Sequence, residues 1–175
     1  GQLLFKVGPD AGLSTLQLED MDYSIPADLL VADTSGDGYA NLIYAGDMGG
    51  QVWRVDINNS LGADPSASIS SLFSGGRIAD LADDTIETNR RFYYPPDAAL
   101  LEDDDKGGAL YVSILINSGN RAHPMNKDVQ DRIFMLRDSP IVGKPNTYVT
   151  ITENDTTHDL FNTTNNIVAD GSDAE

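Results

Sequence analysis

Two short apolar runs, Leu42-Ile43-Tyr44-Ala45 and Val52-Trp53-Arg54-Val55, flank the glycine-rich stretch Gly46-Asp47-Met48-Gly49-Gly50. Runs this short, rich in β-branched and aromatic residues and separated by a tight turn, predict a β-hairpin rather than a helix. The same grammar recurs along the chain. Residues 110–116 form the most strand-like run, and residues 132–137 are its expected partner across a long insertion at 117–131. Residues 3–7 read as a strand closed by the turn cluster Gly8-Pro9-Asp10-Ala11-Gly12. An extended segment over 24–32 ends in Leu29-Leu30-Val31-Ala32, and residues 148–152 suggest one more strand. Between them, 58–89 is loop-rich, with weak helical or strand signals at 70–73 and 78–81. Residues 93–97 are extended because their prolines disfavour helix before them. Residues 102–106 read as an acidic turn. No segment carries the sustained 3.6-residue periodicity of an amphipathic helix, so the expected class is all-β.

Three of these segments resemble one another. Aligning Phe5-Lys6-Val7, Trp53-Arg54-Val55 and Met135-Leu136-Arg137 gives offsets of 48 and 82. The first is near the length of a four-stranded propeller blade, about 40 to 50 residues. The second equals one blade with an insertion, or two irregular blades. A sheet of this kind cannot bury both faces alone and stacks on copies of itself. The expectation is therefore a partial, modified β-propeller of about three blades with long loops. It would occupy residues 1–152, with a polar flexible segment or unfinished loop over 153–175. Residues 1–7 have neither an initiator Met nor a basic leader, which suggests an excised piece of a larger chain.

Between the segment ending at Ala32 and the strand beginning at Leu42 lies Asp33-Thr34-Ser35-Gly36-Asp37-Gly38-Tyr39-Ala40-Asn41. Oxygen-bearing side chains stand at its first, third, fifth and ninth positions, Asp33, Ser35, Asp37 and Asn41. Gly38 at the sixth allows a sharp turn, and Tyr39 at the seventh offers its carbonyl. This is the opening of an EF-hand-like loop, whose alternate residues can surround a hard cation such as Ca²⁺. Mg²⁺, which demands strict octahedral geometry, is second choice. The twelfth position, an acidic ligand in an EF-hand, is here Tyr44, so a strand-loop-strand variant is expected. Two carboxylates predict weak binding, about 10⁻⁴ to 10⁻³ M. Asp47 lies too far along the strand to join and belongs to the turn.

The charge balance is compatible with a cation partner, although an acidic, solvated surface is the simpler reading. Eleven Lys and Arg stand against 28 Asp and Glu, a net −17. That argues against nucleic acid and against anionic lipid surfaces. There is no cysteine, hence no disulfide and no thiol chemistry, and no apolar run is long enough for a membrane span. His123 and His158 lack partners at zinc spacing. Ser118-Gly119 lacks the first glycine of a nucleophile elbow. Trp53 is expected to pack within its blade. The acidic tract at 102–105 is expected to be solvated, and Arg90, Arg91 and Arg121 to pair with carboxylates. No enzymatic role is expected.

Three stretches carry a resemblance. "SIPADLLVADTSGDGYANLIYAGDMGGQVWRVDI", "RRFYYPPDAAL" and "INSGNRAHPMNKDVQDRIFMLRD", in that order, resemble the C-terminal propeller domain of the PilC/PilY family of type IV pilus biogenesis factors and tip adhesins. The resemblance implies a modified β-propeller at the bacterial cell surface, pilus tip or outer membrane, reached through the periplasm, working with minor pilins. It implies roles in pilus extension against retraction, twitching motility and adhesion, with host contact through regions outside this sequence. It also implies a Ca²⁺ loop that falls here on Asp33, Ser35, Asp37, the Tyr39 carbonyl and Asn41. Family loops commonly bear Asp or Asn at the third position and Asp at the ninth, so Ser35 and Asn41 depart from the pattern. Two other readings share the repeat: a quinoprotein-type propeller dehydrogenase, needing a cofactor pocket and a catalytic carboxylate, and an integrin-like interaction propeller, needing such loops in several blades.

Overall fold

The computed structural model describes residues 1, 3, 5–59, 66–141, 143–153 and 160. Among the described residues, ten strands fall into three sheets. In the largest, β3 (Leu30–Ala32), β4 (Leu42–Gly46), β5 (Gln51–Ile57) and β6 (Phe73–Asp80) form a consecutive antiparallel meander. The short β10 (Ile151–Thr152) adds to it in parallel along β6. A smaller antiparallel meander comprises β7 (Asp97–Asp103), β8 (Ala109–Asn117) and β9 (Ile133–Asp138). The third sheet is a parallel pair of two-residue strands, β1 (Val7–Gly8) and β2 (Leu16–Gln17). A single helical turn, α1 (Ile69–Leu72), leads into β6. No helix among the described residues is long and apolar enough to cross a membrane.

The two meanders close on one core. Leu42, Tyr44, Val52 and Ile78 of the larger sheet meet Val112, Ile114, Ile116, Phe134 and Leu136 of the smaller, and Phe92 meets Phe134 edge to face. Alternation explains this on β8 and β9, where inward residues are buried and outward ones exposed. β5 is different: six of its seven residues are buried, because it lies mid-sheet with both faces covered. One of those six is Arg54, fully buried on the core side.

Arg54 is held by an ionic cluster that joins the sheets. Its Nη1 donates to Asp138 Oδ2 on β9 at 2.9 Å, and its Nε donates to Asp56 Oδ2 at 3.0 Å. The Tyr44 hydroxyl donates to Asp138 Oδ2 at 2.7 Å, and the Tyr148 hydroxyl donates to Asp56 Oδ2 at 2.7 Å. Burial raises the pKa of Asp138 against the pull of Arg54. Burial also opposes charging of Arg54, but the Asp56 hydrogen bonds and the two carboxylate charges outweigh it and raise its pKa.

Several expectations change. The repeat offset of 82 is supported by register: Leu42 faces Asp56 as Val112 faces Asp138, and Tyr44 faces Arg54 as Ile114 faces Leu136. Among the described residues the N-terminal strand is Val7–Gly8, and it pairs in parallel with β2, so two meanders and this short pair stand where three blades were expected; part of the strand expected over 3–7 lies outside the described residues. Among the described residues the meanders make no closed ring. The loop-rich region conceals β6, whose Gly75 and Gly76 are required by close approach. A Cβ at Gly75 would lie 2.7 Å from the Arg54 carbonyl oxygen, and one at Gly76 would lie 2.5 Å from Tyr148 Cγ. The acidic stretch is split: Glu102 and Asp103 end β7, and the turn begins at Asp104. Of the polar segment expected at 153–175, all but Glu153 and Leu160 lies outside the described residues.

Removing Arg54 leaves two buried carboxylates without a counter-charge. Arg54→Leu is expected to cost about 3–5 kcal/mol, read as a fall in the urea midpoint. Adding Asp56→Asn and Asp138→Asn in the same chain should recover part of that loss. An Arg54→Leu chain as stable as the original would show that the cluster does not hold the sheets together.

Candidate metal centre

The loop between β3 and β4 is exposed and wraps around one carboxylate. Asp33 Oδ1 accepts hydrogen bonds from Ser35 N (3.1 Å), Ser35 Oγ (3.0 Å) and Gly36 N (2.8 Å). Asp33 Oδ2 accepts from Gly38 N at 2.8 Å. The first and sixth positions are thus in direct contact. Gly36 and Gly38 make this wrap possible with φ of 72° and 87°, a region that side chains with a Cβ seldom adopt. Asp37 Oδ1 accepts from Tyr39 N at 2.9 Å.

The ninth position is engaged elsewhere. Asn41 Oδ1 accepts from Thr34 N at 2.9 Å and from Thr34 Oγ1 at 3.2 Å, while its Nδ2 donates to Thr34 Oγ1 at 2.8 Å. Thr34 Oγ1 also lies 3.3 Å from the carbonyl oxygen of Ile141, a core residue just beyond β9. Thr34 therefore links the base of the loop to the second meander. Sequence spacing missed it because the second position of such a loop carries no ligand; its signal was a hydroxyl beside Asp33. A cleft of about 520 Å³ opens beside the loop, with Ser35, Asp37 and Asn41 on one wall and Ser74 and Lys144 among its other linings.

Of the five expected ligands, the structure brings Asp33 and Ser35 into contact, turns Asp37 onto the backbone of Tyr39, and turns Asn41 onto Thr34. Asp33 and Ser35 suit a hard cation, because a carboxylate with two oxygens and a hydroxyl share one side of a tight wrap. Asn41 suits one less well while its amide oxygen serves Thr34. Among the described residues no three His, Cys, Asp or Glu side chains converge into a metal-binding group.

The Gly38 N–H is the foremost cause of a lowered Asp33 pKa; desolvation opposes it, and the bonds from Gly36 and Ser35 add to the lowering.

The remaining polar candidates have structural work. Asp47 is fully buried in the β4–β5 turn, accepting from Gly49 N, Gln51 N and Trp53 Nε1, and burial raises its pKa despite these bonds. The acidic tract is not wholly solvated: Asp103 is buried and paired with Arg137. Arg90 is buried and paired with Glu153, and Arg121 lies over the Tyr94 ring. Ser118 Oγ donates to Asp131 and accepts from Arg132 N, strapping the insertion to β9. His123 caps a turn through its N–H to Asn120. His158 lies outside the described residues.

Among solved structures, the chain is similar to the C-terminal domain of Pseudomonas aeruginosa PilY1, with a TM-score of 0.44 and 17% identity over 71% of this chain. The match spans 28% of that domain's chain. No protein-family profile and no curated protein matches the sequence.

In the metal-free protein, the Asp33 carboxyl should titrate below its ordinary value of 3.8. Its lowered folded pKa stabilises the loop above that value, and the contribution is lost as pH falls through the folded pKa. Ser35→Ala should raise the midpoint only in part, since the Gly38 contact remains. Carbon-detected NMR titration checks both, and an Asp33 midpoint at or above 3.8 would contradict the wrap.

Proposed function

We propose that this chain is a Ca²⁺-binding, non-enzymatic segment of a type IV pilus-associated surface protein, with its two meanders acting as blades of an incomplete propeller. The observation that carries the reading is the contact between Gly38 N and the Asp33 carboxylate. It draws the loop into the curl in which oxygens at alternate positions can face one ion. The three sequence stretches resembling the PilC/PilY family support the pilus context.

Asp33, Ser35, Asp37 and the Tyr39 carbonyl are the proposed ligands, with Asn41 joining once its amide turns from Thr34. Six to eight oxygens at about 2.3–2.6 Å are needed, so water completes the set. Ca²⁺ tolerates such a mixed, flexible shell better than Mg²⁺ does. Because Asn41 and Thr34 link the loop to Ile141, drawing Asn41 toward the ion alters the tie between the meanders. In this reading the ion sets how firmly the two blades are held, and through that the surface offered to minor pilins at the pilus tip. Pilus extension against retraction, twitching motility and adhesion are the activities it serves. Host contact would come through regions outside this sequence.

Isothermal titration should give a Ca²⁺ Kd of about 10⁻⁴ to 10⁻³ M, with weaker Mg²⁺ binding. Asp33→Ala should abolish the heat and any Ca²⁺-dependent rise in melting temperature. Unchanged binding in that variant would remove the loop from consideration. For the pilus context, antibody raised against this chain should label sheared pili from the source bacterium. Labelling confined to the cytoplasm would contradict it.

A further inference from the structure

The register that makes the two hairpins equivalent also reveals a difference between their outer faces. Ala45 faces Trp53 as Leu115 faces Met135, and residues paired across two strands share a face. Ala45 and Trp53 are buried, and so is Gln51, the equivalent of Ile133 by the same offset. Leu115 is 50% exposed, Met135 69% and Ile133 73%. The larger sheet is covered on this face by the N-terminal part of its own chain. Leu16 lies over Gly75, which faces Val55; Tyr23 lies against Gly49; and Asp20 is ion-paired to Arg77 at 3.3 Å.

On the smaller sheet, Arg137 covers one end of this face. Its guanidinium lies 4.0 Å from the Tyr111 ring centroid and is ion-paired to Asp103. At the other end a groove of about 390 Å³ opens, with Pro95, Leu115 and Ile133 on its apolar floor and Asp97 and Asp131 among its polar linings. Each carboxylate has one oxygen engaged, Asp97 Oδ1 by Ala98 N and Asp131 Oδ1 by Ser118 Oγ. Neither forms an ion pair among the described residues, because Arg132, which shares the groove, is paired with Glu153.

We propose that this outer face is the docking surface for an extended segment of a partner protein that presents a lysine or arginine between apolar side chains. Leu115, Ile133 and Met135 supply the apolar centre that an interface buries. Asp97 and Asp131 supply a rim that favours a cation, and the net charge of −17 attracts a basic partner while repelling a second copy of this chain. The cover on the larger sheet is the same arrangement with the charges exchanged: there Arg77 of the sheet meets Asp20 of the covering segment. The proposal stands apart from the Ca²⁺ reading and survives its failure.

Amide chemical shifts of the full chain, followed as a peptide is added at an ionic strength of about 0.15 M to screen diffuse attraction, test it. The probe is acetyl-Thr-Leu-Thr-Lys-Thr-Leu-Thr-amide, whose leucines and lysine share one face when extended. It should shift the amides of Leu115, Asn117, Ile133 and Met135 and saturate in the millimolar range. The same peptide with Glu in place of Lys should bind at least about tenfold more weakly. Asp97→Asn with Asp131→Asn should bring the two peptides within about twofold of each other. Met135→Ser should weaken the lysine peptide at least about threefold. All three altered side chains are exposed, so the melting temperature should stay unchanged. Shifts that are absent, or scattered over the acidic surface without gathering on this face, would overturn the proposal. So would equal binding of the glutamate peptide to the unaltered chain, or shifts of the same amides that grow with protein concentration alone alongside a dimer mass.

Discussion

A fully buried arginine between two aspartates is the constraint on which this molecule turns. Arg54 sits mid-strand in β5 with no access to water, and its charge is tolerable only because Asp56 and Asp138 converge on it. The register explains how they converge. Asp56 and Asp138 occupy equivalent places at the ends of two equivalent hairpins, so closing one meander on the other brings both to the same guanidinium. Leu136 stands at the place equivalent to Arg54, so one sheet supplies the cation and the other an apolar surface. An ion cluster of this kind adds little stability over a well-packed apolar core, but it penalises any misaligned closure heavily. It thereby fixes the relative register of the two sheets.

The candidate metal loop inherits its position from that closure. It connects border strand β3 to core strand β4, and its base is tied through Thr34 to the carbonyl of Ile141, just past the strand that bears Asp138. The wrap around Asp33 is local and is dictated by two glycines and a serine. The tie through Asn41 and Thr34 is long-range and exists only because the meanders are held together. An ion at Asp33 that recruited Asn41 would replace its bonds to Thr34, the residue that reaches Ile141, with a ligand bond. Such an exchange would give an exposed loop a means of acting on the rest of the fold.

The hairpins β4–β5 and β8–β9 were legible because β-branched and aromatic runs around tight or long connections have few other uses. The strand β6 was not, since Gly75-Gly76 argues against a strand locally and is required only by the Arg54 carbonyl and the Tyr148 ring. Likewise β7, with the sequence Asp-Ala-Ala-Leu-Leu-Glu-Asp, has a helix former's composition and becomes a strand because β8 needs a partner. The pairing partner overrides the propensity there. Nothing local marks Arg54 as buried. In the loop, the relation of Asp33 to Ser35 and Gly38 follows from spacing, whereas the diversion of Asn41 depends on Thr34, a position that the ligand pattern ignores.

A crystal structure determined from millimolar calcium, with anomalous data locating the ion, tests the central claim most directly. The account predicts one anomalous peak within about 2.3–2.6 Å of oxygens from Asp33 and Asp37, with the Asn41 amide rotated off Thr34. Well-ordered loop density without such a peak, and with Asn41 still bonded to Thr34, would contradict it.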